Sequence, residues 1–272
     1  PVWRRCVDLK VPITVHGSSA GWMDRRSPTS FVFNHIGKFS NASYTFCKAL
    51  VLGGVPGRFP GLRFAFLEGG ASWAIPLYND IVGHWDKRNR RALDEHLRPT
   101  LIDFDELHEL WVKYGEPTWT DLWADFAGSV PDEYGTTFEE SAARNDHYDE
   151  FAGIGSDIDV VKTWFEERFF LGCEADDRTT GAAFSNHVKI SLNALFSSDI
   201  GHWDVPTMAG VLPEAYELVE EGILNLEDFR AFSCNNAARL YLDMNPEFFQ
   251  GTVIENKLPN VLPRSRREEP VL

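Results

Sequence analysis

Asp199, His202 and Asp204 stand close together directly after the apolar run Ala194-Leu195-Phe196. An imidazole and two carboxylates at this spacing offer nitrogen and oxygen ligands to a divalent cation and a base for proton transfer. The arrangement recurs twice. Pro12-Ile13-Thr14-Val15 ends in His16, and Leu62-Arg63-Phe64-Ala65-Phe66-Leu67 ends in Glu68-Gly69-Gly70. Each run reads as a short buried strand. The C-terminal ends of parallel strands are where α/β proteins do their chemistry. Three such tips, each with a His or a carboxylate, point to a metal site for hydrolysis or bond cleavage.

Asp199 has the strongest case. A carboxylate ending a buried strand, with no basic residue close in sequence, costs several kcal/mol unless paired, hydrogen-bonded or metal-bound. It could bind a metal and accept a proton, or cap a loop. His16 is a metal ligand or a strand-end hydrogen-bonding group. Glu68 is a ligand, a general base, or a cap for the helix that follows. His202 is an acid or base, a group that orients substrate, or an exposed loop residue. Glu174, Asp176 and Asp177, at the tip of Phe169–Cys173, read as supporting or solvated positions rather than ligands.

The elements that must hold these tips are strands over 12–16, 62–67, 169–173 and 193–198, alternating with helices. That alternation implies right-handed crossovers and a parallel sheet. Helices are expected at 41–52 with Asn41 as N-cap, at 73–97 with Pro76 in the first turn, at 157–168 behind Ser156, near 181–187, at 207–221, after Asn225, and through Asn235 to Leu242. A helix ends near Leu9, and residues 17–40 read as loop. Residues 100–156 break the rhythm. They read as an insertion, helical at 103–114 and 118–127 and then acidic and irregular. The α/β part spans 1–254, and 255–272 reads as an extended tail.

The 272 residues carry 41 acidic and 26 basic side chains, a net charge of −15. A surface so acidic repels nucleic acid. The longest apolar stretches fall well short of a bilayer span, so no membrane partner is expected. The four cysteines are widely separated and no two form a CxxC pair, which argues against a redox motif or zinc knuckle and for a cytoplasmic setting. The first residue is Pro1, within what reads as a helix, so the chain reads as lacking an N-terminal part.

Together, Pro12–Gly17, Phe66-Leu67-Glu68-Gly69-Gly70, Ser198–Asp204 and Asn236–Tyr241 resemble the amidohydrolase-2 branch of the amidohydrolase superfamily, which includes aminocarboxymuconate-semialdehyde decarboxylase-like enzymes. The resemblance implies an α/β fold of the TIM type, a (β/α)8 barrel, here its C-terminal half with strands five to eight. It implies a divalent metal, commonly zinc, held by His16 and Asp199. It departs at Glu68, where the family usually has a His; a carboxylate cannot serve as a cationic electrophile. The family's first-strand His-x-His or Glu-x-His pair is not in this chain. The expected function is a metal-dependent hydrolase or non-oxidative decarboxylase acting on a small carboxylated or cyclic substrate, with Asp199, Glu68 and His202 as catalytic groups. Family members often dimerise, so a homodimer is an expectation. The alternative is a catalytically inactive, barrel-derived binding or scaffolding subunit.

Overall fold

The computed structural model describes residues 1–17, 27–96, 103–120, 122–123 and 149–257. Four short strands form one parallel sheet in sequential order: β1 (Ile13–Val15), β2 (Phe64–Phe66), β3 (Phe169–Cys173) and β4 (Asn193–Phe196). All three pairings are parallel, with Ile13 beside Phe64, Phe64 beside Phe169, and Phe170 beside Asn193. The protein is thus mixed α/β. β1, β2 and β4 are shorter than the apolar runs that announce them, because those runs also supply the residues that turn out of the sheet, whereas β3 fills its run.

Contacts divide the chain into two compact units. The first comprises Pro1–Asp80 and the chain from Gly153 onward, and holds the sheet. The second is Ile81–Ala152. In the first, α1 (Val2–Leu9) ends at Lys10 in the left-handed conformation and sets Trp3 edge-on to Phe64. The stretch read as loop contains a short helix, α2 (Phe31–His35), because the Ser30 hydroxyl accepts from the Phe33 amide. α3 (Lys38–Leu52) starts earlier than Asn41 and is entered through Gly37 at φ 74°, so Asn41 is not its cap. α4 (Val55–Arg58) leads to β2.

The expected helix 73–97 is two helices, α5 (Ala74–Arg88) and α6 (Arg90–His96). Between them the Asn89 side chain accepts from the Ala92 amide and caps the second. Within the second unit α7 (Phe104–Tyr114) is capped by Asp103, α8 (Pro117–Thr120) follows, and Trp111 donates to the Trp119 carbonyl. Most of the expected helix at 118–127, the acidic stretch to 148 and the tail from 258 lie outside the described residues.

Back in the first unit, α9 (Asp159–Glu167) begins without a Ser156 cap; the Asp157 carboxylate accepts from the Asp159 amide instead. After β3, 3-10 turns over Arg178–Phe184 and Asn186–Val188 replace the expected helix at 181–187. α10 (Val211–Glu220) follows β4. α11 (Leu226–Arg230) is capped by Asn225, and one turn of π-helix (Ala231–Asn235) joins it to α12 (Asn236–Leu242).

β2, β3 and β4 are buried on both sides, as near-continuous apolar strands require, while Thr14 of β1 is exposed. On one face the rings of Phe64, Phe66, Phe169 and Phe165 meet edge to face, with Trp73 against Phe66. Each ring buried this fully contributes about 2–3 kcal/mol. On the other, Ala65, Phe170 and Leu195 pack against Leu240 of α12, flanked by Leu67 and Tyr241. The ladder to β3 uses alternate residues of β4, as when the Ser197 amide donates to the Cys173 carbonyl. Ala194 therefore faces the outer edge. Its carbonyl accepts from the buried Asn236 side chain at 2.7 Å. α12 thus crosses the edge of β4 and covers the face that would line the interior of a closed barrel.

Candidate functional site

The four strand tips converge in space. His16 follows β1 directly, Glu68 lies two residues past β2, Glu174 follows β3 directly, and Asp199 lies three residues past β4. Parallel pairing brings these tips to one end of the sheet, although they are far apart in sequence.

Two of them occupy backbone conformations that side chains avoid. Glu68 has φ 59° and Asp199 φ 48°. Asp tolerates the left-handed region through local hydrogen bonds, whereas Glu gains no such relief, and each such residue carries of order 1 kcal/mol of strain. At β2 the turn continues through Gly69 and Gly70, the latter at φ 67°. Trp73 donates its indole N–H to the Gly70 carbonyl at 2.8 Å, and the Gly70 amide donates to Gly172 at 3.1 Å. A Cβ on Gly70 would stand 2.6 Å from the Asp177 Oδ2 oxygen, so only glycine lets that carboxylate approach. The opposite Asp177 oxygen caps the following turn, accepting from the Thr179 amide and hydroxyl.

The Glu68 carboxylate is directed at the His16 Nε2 nitrogen rather than at the helix behind it. The His16 ring lies against Phe39, centroids 5.3 Å apart. Carboxylate oxygens of Glu68, Glu174 and Asp199 all lie within 4.8 Å of one another. Asp199 also belongs to a second group with the same spacing, with His202 and Asp204. The His202 Nδ1 nitrogen is 3.1 Å from Asp199 and in direct contact with Asp204.

The electrostatics follow from this crowding. Burial first, and then the charges of Asp176, Asp199, Glu68 and Asp204, push the Glu174 carboxyl up to about 7, though part of its side chain meets solvent. The hydrogen bond with Asp204 comes first in raising the His202 imidazole, with Asp199 adding to it, and the same bond holds Asp204 below the ordinary carboxylate range.

Of the residues singled out in the sequence, His16, Glu68, Asp199 and His202 all reach this one site. Glu174, read there as a supporting or solvated residue, stands level with Glu68 and Asp199. The only sequence signal for it was its place directly after a fully apolar run. Asp204 enters as the partner of His202.

The donor set suits a divalent cation. Clustered carboxylates repel one another until a positive charge is set among them. Among the described residues, Glu68, Glu174 and Asp199 are the ones whose oxygens stand close enough together to hold it, with His16 against Glu68.

No known protein family matches the chain in sequence, and no curated protein does. The amidohydrolase resemblance therefore rests on the four motifs themselves.

Proposed function

We propose that the chain is a metal-dependent enzyme of the amidohydrolase type, a hydrolase or non-oxidative carboxy-lyase acting on a small carboxylated or cyclic organic substrate. In this reading the four strands are the last four of a (β/α)8 barrel. The observation that carries it is the meeting of His16, Glu68, Glu174 and Asp199 at adjacent strand tips, with Glu68 and Asp199 both held in strained backbone. Strain of this kind persists where the surrounding structure enforces it, and it clusters at functional sites.

A divalent ion held there supplies Lewis acidity toward a substrate oxygen. The chain's own groups do the rest. Asp199 orients His202, whose protonated form is favoured by two adjacent carboxylates, so His202 is the group set to deliver a proton. Glu174, a carboxylate beside Glu68 and Asp199, is placed to accept one. Glu68 fixes the His16 ring, a positioning role that the usual His of the family could not perform in the same way.

One observation favours the alternative, a non-catalytic binding subunit. α12 packs Leu240 on Ala65, Phe170 and Leu195, and Asn236 takes up the edge of β4. A strand closing a barrel would need both. Elemental analysis of the purified protein beside an Asp199→Asn variant separates the two readings. About one equivalent of zinc or manganese, lost in the variant, is expected for the enzyme. Two folded, metal-free proteins would leave the binding subunit in its place.

A further inference from the structure

Beside the site lies an apolar face that nothing in the described residues covers. Phe31 of α2 is 61% exposed, Ile36 just after it 76%, and Trp203 69%. These residues join the site through a chain of rings. Trp203 is 5.9 Å from His202 and 6.0 Å from Phe31; Phe31 stacks on His35 at 5.0 Å, and His35 meets Phe39 at 5.4 Å, which in turn touches His16. Both ends of the chain are imidazoles of the site. The face is therefore continuous with the chemistry rather than a separate patch.

Next to it opens a cavity of about 250 Å³, bounded by Phe39, Glu68, Gly69, Glu174 and Asp177 among others. It contributes three carboxylates and, among the described residues, no Lys, Arg or His. Its size suits a head group or small molecule rather than a polypeptide. Lys38 rests its ammonium 5.3 Å from the ring centre of Phe39, a residue of the cavity wall, so this ring accepts a cation.

We propose that the site takes a small organic cation, an arylalkylammonium. Its apolar body lies on Phe31 and Trp203, and its charged head enters the cavity between Glu174 and Asp177. The inference rests on the metal reading above, and it narrows the substrate to the cyclic, positively charged class. A carboxylated substrate would meet carboxylates that a single dication does not neutralise.

The test is titration calorimetry of the full, zinc-loaded chain with benzyltrimethylammonium chloride and, separately, with sodium benzoate. The parent is compared with Trp203→Ala and Glu174→Gln, and zinc content is measured on the same samples. The cation is expected to bind at least about tenfold more tightly than benzoate, and each variant to weaken it about tenfold. Trp203 is exposed, so its removal leaves the core intact. Benzoate binding as tightly as the cation, an unchanged affinity in Trp203→Ala, or no heat from either ligand overturns the proposal. So does sedimentation revealing a dimer that Trp203→Ala dissociates, since the face would then be covered by a second copy. Zinc uptake without cation binding removes this inference alone; cation binding without zinc uptake removes the metal reading and leaves the cation site standing.

Discussion

The two ends of the sheet handle charge in opposite ways. At the N-terminal ends of the strands stand Arg63, Arg168 and Arg239. Arg63 reaches Asp243 at 3.4 Å and the carbonyls of Pro60, Gly61 and Leu62. Arg239 reaches the Asn193 side-chain oxygen at 3.2 Å and Asp243 at 3.8 Å, and lies over the Phe170 ring. Arg168 donates to the Pro56 carbonyl. Every guanidinium there is answered by an acceptor from the protein itself. At the C-terminal ends, Glu68, Glu174, Asp199 and Asp204 face one another with two imidazoles among them. A set of charges that closes on itself maintains structure. A set left in excess stores an affinity for something brought from outside.

Three substitutions put that contrast at risk. The largest effect is expected from Arg239→Ala, which removes the pairing with Asn193 and Asp243 and the packing on Phe170. It should lower stability by about 2–3 kcal/mol in urea titrations and leave metal uptake unchanged. A loss of metal with no loss of stability would show that the two ends are not separate in role. Glu68→Gly relieves a left-handed side chain and thins the acidic cluster. It should raise the stability of the metal-free chain by about 1 kcal/mol while lowering metal affinity. A stability loss instead would make the strained Glu68 part of the scaffold.

The smallest effect concerns Glu174. Its folded pKa of about 7 lies above the ordinary 4.5. The stability it contributes is therefore complete below pH 4.5 and is lost as pH rises through 7. The metal-free Glu174→Gln chain should melt about 2 °C above the parent at pH 8, and the gap should close at pH 4. A gap that persists at pH 4 would point to packing rather than charge.

The strands and their tips were legible because apolar runs and the polar residues that end them are local signals. Asn225 announced its helix for the same reason. The loop reading of 17–40 missed α2, whose only mark is Ser30 three residues before Phe33. The helix expected over 73–97 is broken by Asn89, which competes for backbone amides from within an otherwise helical pattern. Glu174 could not be ranked from sequence, because its standing depends on strand order, which brings residues 68, 174 and 199 to one place. The bond from Asn236 to Ala194 is equally non-local. So is the covering of Ala65, Phe170 and Leu195 by α12, the feature that bears most on whether the sheet belongs to a barrel.

That last contact has a consequence for the protein in the company of its own copies. The outer edge of a sheet is a template on which a foreign strand can grow, and long bare edges are where soluble proteins begin to polymerise. At β4 the outward carbonyl of Ala194 is already taken by Asn236, and Phe232 and Leu240 are buried along the same helical run. Concentrated solutions of the intact chain should therefore stay dispersed at this edge, and proteolytic removal of the segment after Arg230 should turn β4 into a nucleus for fibrils.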